Sequence, residues 1–116
     1  MKIYTSYFAG YRGQSGVSIA RSSPRWFKGD SIIEFAPPYY MIHYSEQKYI
    51  PEFQTQVLLK TAKAGLKKLK DGMVLLCYEK QGDFCHRHLI AEWLRSQGIE
   101  AEEWQSQPKI IQETMF

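Results

Sequence analysis

Met73-Val74-Leu75-Leu76-Cys77-Tyr78-Glu79, a short loop over 80–84, and then Cys85-His86-Arg87-His88 decide how this chain is read. Met73 to Tyr78 is apolar without alternation, the pattern of a strand covered on both faces. It runs into the carboxylate of Glu79, and an unpaired charge at the end of a core strand is costly. The stretch after it predicts a helix over about 85–97, burying Leu89, Ile90, Trp93 and Leu94 and stopping at Gly98. Unsatisfied N–H groups at such a helix start favour an anion. A strand end beside a helix start is where open α/β sheets hold their ligands, so function is sought there.

Working outward, Lys2 to Phe8 is rich in β-branched and aromatic residues and reads as a first strand. Gly10, Gly13 and Gly16 mark the loop after it, and Val17 to Ala20 reads as a second strand. Pro37-Pro38 argues against helix, so Tyr39 to His43 is assigned to a third strand. Pro51 to Lys70 reads as one long helix, with Phe53, Val57, Leu58, Ala62, Leu66 and Leu69 on the apolar face. Pro51 suits its first turn, and Asp71-Gly72 ends it. Ile99 to Trp104 is a short last strand, and the tail to Phe116 is ambiguous. Strand and helix alternate across 39–104. The expectation is therefore a single small α/β domain over 1–116, with a mainly parallel, Rossmann-like sheet flanked by helices.

The composition bounds the function classes. A chain of 116 residues, 44% hydrophobic and 15% aromatic, can bury a core without staples and is not of a disordered type. A net charge of +3 suits a phosphate-bearing small molecule or nucleic acid as partner but requires neither. No apolar run reaches membrane-spanning length, and Met1-Lys2-Ile3-Tyr4 lacks a signal core. No membrane partner is expected, and the simplest location is cytoplasmic. Two cysteines do not make a disulfide framework. A Cys77–Cys85 bond is sterically conceivable, but a reducing compartment disfavours it. A monomer and a homodimer both fit, the Tyr39–Tyr44 segment serving either core or contact.

Within the decisive stretch, partial burial would raise the pKa of Glu79 and suit it to proton transfer or nucleophilic attack; the alternative is a surface glutamate paired with Arg87. Cys85, at a helix start beside Arg87 and His86, has the setting that lowers a thiol pKa. Its alternative is a small packed residue at the helix cap. Arg87, with Arg21 and Arg25 around the Ser22-Ser23-Pro24 turn, is the main anion signal, because guanidinium forks suit phosphate. Trp26-Phe27, flanked by Arg25 and Lys28, suits a lid or a base-stacking surface, or else simple loop anchoring. A metal site is not expected. Cys77 stands alone eight residues before Cys85, and His86 and His88 diverge around a helix. No cofactor is implied.

These residues resemble the DUF488 family. Ile3-Tyr4-Thr5 is similar to its opening strand, and Ile19-Ala20-Arg21-Ser22-Ser23-Pro24-Arg25 to its strand-end arginine and Pro-Arg turn. Leu75-Leu76-Cys77-Tyr78-Glu79 with Cys85-His86-Arg87 is similar to its Cys-x-Glu and Cys-His-Arg signature, the most specific of the three. The resemblance implies an α/β fold in which Thr5, Arg21, Pro24, Arg25, Cys77, Glu79, Cys85, His86 and Arg87 line one pocket. It supplies no activity. Ile19 stands where family members often carry an acid, which leaves Glu79 as the main candidate acid or base.

Three functions compete. The first is an enzyme acting on a nucleotide or nucleic-acid component, with Glu79 as acid, base or nucleophile, an N-glycosidic bond being a fitting target. The second is a module that binds a phosphorylated ligand or nucleic-acid end without turnover. The third is thiol or redox chemistry at Cys85, with Cys77 resolving.

Overall fold

The structure, a computed structural model, describes residues 1–79 and 84–105. The loop expected over 80–84 lies outside the described residues except for Phe84, and so does the tail from residue 106. Among the described residues, four parallel strands form one sheet: β1 (Lys2–Tyr7), β2 (Gly16–Ser18), β3 (Val74–Cys77) and β4 (Glu100–Glu103), in the order β2-β3-β1-β4. β3 is buried at every position, as its unbroken apolar run implies. Leu75 and Cys77 face a layer of helices, while Val74 and Leu76 face an aromatic layer of Phe8 and Tyr11 with Phe27 and Trp104 against it. β4 reads Glu-Ala-Glu-Glu and buries only Ala101, the composition of a charged edge strand that resists further pairing.

Helix α3 (His86–Ser96) starts one residue inside the expected boundary, with Cys85 as its N-cap in extended backbone. Two other expectations, one of a strand and one of a helix, need correction. Tyr39 to His43 is not a strand. Tyr39–Met41 is a turn of 3-10 helix whose first carbonyl comes from Pro38, since a proline is tolerated just before a helical turn. Nor is 51–70 one helix. It starts earlier, as α1 (Glu46–Phe53), because the Ser45 hydroxyl accepts the Lys48 N–H and caps it. Pro51 therefore sits inside α1. A π-helical turn follows over Gln54–Leu58, then α2 (Ala62–Gly65) and a 3-10 turn over Leu66–Lys68. The Thr61 hydroxyl helps to set this break by donating to the Glu34 carbonyl at 2.7 Å.

Phe53, Val57 and Ala62 from these segments, with Ile90 and Leu94 of α3, close the core against Ile3, Leu75 and Ala101. No helix among the described residues is long and apolar enough to cross a membrane.

Gly65 lets α2 approach the Phe35 ring. A Cβ there would lie 2.8 Å from Phe35 Cε1 and 3.1 Å from Ile32 Cγ2, and both neighbours are buried. Alanine has the better helix propensity, yet Gly65→Ala is expected to lower stability by about 1–3 kcal/mol through overpacking. A chemical-denaturation curve measures this; unchanged or raised stability would show that the ring yields.

Candidate active site

At the carboxyl end of the sheet, a cavity of about 340 Å³ opens between β3, the loop after β2, α1 and the start of α3. Its polar lining includes Arg21, Ser22, Glu79 and His86. Pro38, Tyr39, Tyr44, Tyr49 and Phe84 supply apolar and aromatic walls. The loop that carries Arg21 is held by its own polar groups. The buried Ser18 hydroxyl accepts the Ala20 N–H at 3.2 Å and the Ser23 hydroxyl at 2.7 Å, and the Tyr78 hydroxyl donates to the Ser22 carbonyl at 2.8 Å. Arg21 donates from Nε to the Pro37 carbonyl at 2.9 Å and from Nη2 to that of Ala36 at 3.2 Å. Those bonds engage two of its five N–H donors. Its side chain is thus fixed along the wall.

Glu79 follows β3 directly. It is exposed, lines the cavity, and among the described residues its carboxylate has no hydrogen-bond partner. The Tyr49 phenol opposite is pushed well above its ordinary pKa, by burial first and by the Glu79 charge second. Helix α3 begins at the same wall with no side chain capping its first amides, a setting that favours an anion. His86 is buried. Its Nε2–H donates to the Ile19 carbonyl at 2.8 Å, leaving Nδ1 toward Cys85 Sγ at 3.8 Å. Burial, aided by the neighbouring Arg87 charge, pushes its pKa down to about 4, so the ring is neutral at pH 7. The sulfurs of Cys77 and Cys85 lie at bonding distance, 2.00 Å, with Cα atoms 7.4 Å apart.

Arg21, Cys77, Glu79, Cys85 and His86 therefore meet at one cavity. Arg87 lies beneath it. Its guanidinium is fully buried and faces Glu103, with Nε donating to Oε1 at 3.2 Å and Nη2 to Oε2 at 3.0 Å. Nη1 donates to Cys77 Sγ at 3.2 Å and to the Glu79 backbone carbonyl. The anticipated pairing of Arg87 with the Glu79 carboxylate is replaced by these contacts. Thr5, also buried, donates its hydroxyl to Glu103 Oε1 at 2.7 Å and belongs to the same network. Arg25 is exposed and lies outside the cavity lining, and so does the half-buried Pro24. Trp26 and Phe27 pack edge-on against Phe8 and line a different groove with Tyr11 and Lys28.

Two residues escaped the sequence reading. Glu103 stands in a run of acids at a strand end, where a solvated carboxylate is the ordinary assignment. Only its register opposite Thr5 places it against Arg87. Tyr49 lies in the first turns of α1, ahead of the helix start inferred at Pro51.

A sequence model of the DUF488-N3a family, described as the active DUF488-N3 subclade, matches residues 32–98, more than half the chain. The chain belongs to the DUF488 family. The match spans the Cys77-Tyr78-Glu79 and Cys85-His86-Arg87 segments of this DUF488 protein, whereas Thr5, Arg21 and Glu103 lie outside it. No curated protein and no solved structure matches the chain.

Removing one partner of a buried ion pair strands the other charge, which costs about 3–5 kcal/mol. Glu103→Gln is expected to destabilise the DUF488 protein on that scale, measured by urea unfolding. Glu102→Gln, whose partner Lys2 is at the surface, is expected to leave the midpoint unchanged. Equal, small effects would show that Arg87 does not depend on Glu103.

Proposed function

We propose that this cavity is the active site of an enzyme acting on a nucleotide or nucleic-acid component. In this reading Arg21 and the first amides of α3 hold a phosphate, and the aromatic walls receive a base or sugar face. Glu79 is the acid, base or nucleophile. For hydrolysis of an N-glycosidic bond, its carboxylate takes the proton of a water that attacks the anomeric carbon. The carbon–nitrogen bond breaks, and the base leaves with its electron pair and gains a proton.

The single observation that carries the reading is the convergence, on one cavity of ligand size, of a fixed guanidinium and a carboxylate with no hydrogen-bond partner among the described residues. The word "active" in the family description also suits catalysis. Arg87 serves as a positioning residue: it holds the Glu79 backbone and takes no part in binding.

The test is a screen of nucleosides, nucleotides and oligonucleotides for base or phosphate release, followed by variants. With a substrate in hand, Glu79→Gln is expected to lower kcat by about 10²–10⁴-fold. Arg21→Ala is expected to raise KM for phosphorylated substrates and to leave unphosphorylated analogues little affected. Full turnover by Glu79→Gln would refute the catalytic role. Ligands that bind through Arg21 but are never converted would favour a binding module instead.

A further inference from the structure

Spacing along the chain argued against a metal, but the fold changes the geometry on which that argument rests. Cys77 ends β3, Cys85 caps α3 and His86 opens it. Their ligand atoms all lie within 4.8 Å of one another, buried at the floor of the cavity. We propose that Cys77, Cys85 and His86, in the reduced protein, bind a thiolate-preferring divalent cation, Zn²⁺ by its chemistry, with the fourth coordination position open to the cavity.

The supporting contacts are those a metal site needs around its ligands. Because the Nε2–H of His86 is held by the Ile19 carbonyl, the Nδ1 lone pair is left toward the sulfurs, the arrangement that orients a ligating imidazole. The Arg87 Nη1–H reaches Cys77 Sγ at 3.2 Å and stabilises a thiolate there. Two thiolates neutralise a divalent cation, and Glu103 already neutralises Arg87, so the assembled site carries no net charge. The backbone frame suits the ligands as well. Disulfides usually span roughly 4.4–6.8 Å between Cα atoms, whereas here the separation is 7.4 Å. With metal–sulfur bonds of about 2.3 Å, two thiolates of a tetrahedral site stand about 3.8 Å apart, which rotation of either side chain provides. With two cysteines, one histidine and one open position, the ligand set is of the catalytic rather than the closed structural kind.

Loading starts from two thiols. A dithiol reductant supplies two electrons and two protons to the Cys77–Cys85 bond and ends as its own disulfide. The cation then replaces the two thiol protons, which pass to water. The site stands independently of any role for Glu79.

The test uses the full chain, reduced with a dithiol, freed of metal and desalted under nitrogen, with Co²⁺ as the probe. The expected result is one Co²⁺ per chain, with a thiolate-to-cobalt charge-transfer band and tetrahedral visible bands, all displaced by Zn²⁺. His88→Ala, altering an exposed neighbour, keeps the bands; Cys85→Ser and His86→Ala lose or shift them. Alkylation of the wild-type thiols decides the matter if either variant fails to fold, because Zn²⁺ is expected to slow both by about tenfold or more. Absence of a thiolate band in the reduced folded protein would overturn the site. So would bands unchanged in Cys85→Ser, alkylation indifferent to Zn²⁺, or a Cys77–Cys85 bond that the dithiol does not open.

Discussion

The ion pair between the fully buried Arg87 and the half-buried Glu103 is the constraint on which the rest of this structure depends. A guanidinium with no exposed surface is tolerated only when its charge and donors are met. Here one side chain on α3 reaches the last residue of β4, the sulfur that ends β3 and the backbone of Glu79, while Thr5 of β1 completes the carboxylate's shell. Three strands and a helix are thereby joined at the carboxyl end of the sheet. Hydrophobic burial supplies most of the driving force for folding. Arg87 adds a tie between the end of β3 and the first turn of α3, through Cys77 Sγ and the Glu79 carbonyl.

This arrangement divides the polar residues of the chain into two layers. Arg87, Glu103 and Thr5 form a closed lower layer in which each charge has its counterpart. Above it, Arg21, Glu79 and His86 line an open cavity. Arg21 has two donors tied to carbonyls, and the Glu79 carboxylate has no hydrogen-bond partner among the described residues. A saturated network suits structure, and an unsaturated one beside an aromatic cavity suits a ligand. The sulfurs of Cys77 and Cys85 lie at the boundary, touched by Arg87 from below and by His86 from the side.

Much of this was legible in the residues themselves. The unbroken run ending at Cys77 identified a core strand, and the Leu89, Ile90, Trp93 and Leu94 spacing identified the helix after it, because both patterns are local. The register of β4 was not legible. Glu103 looks like any acid in Glu-Ala-Glu-Glu until pairing of β4 with β1 sets it opposite Thr5. The fate of Arg87 followed from that register, so an arginine expected to meet a ligand proved to be enclosed. The segment from 45 to 70 misled for a different reason. Its apolar period is helical throughout, but a tertiary hydrogen bond from Thr61 and the close approach of Gly65 to Phe35 divide it into short pieces. The aromatic pair Trp26-Phe27 gave no directional signal, and packing on Phe8 took it to the other face of the sheet.

The two-layer division can be tested most directly by following the arginine side-chain Nε–H resonances during titration with a nucleoside monophosphate. The expected result is that the Arg21 signal and the first α3 amides move in a saturable way, while the Arg87 signal stays in place and exchanges slowly with solvent. An Arg87 resonance that shifts with ligand or exchanges rapidly, beside a silent Arg21, would contradict it.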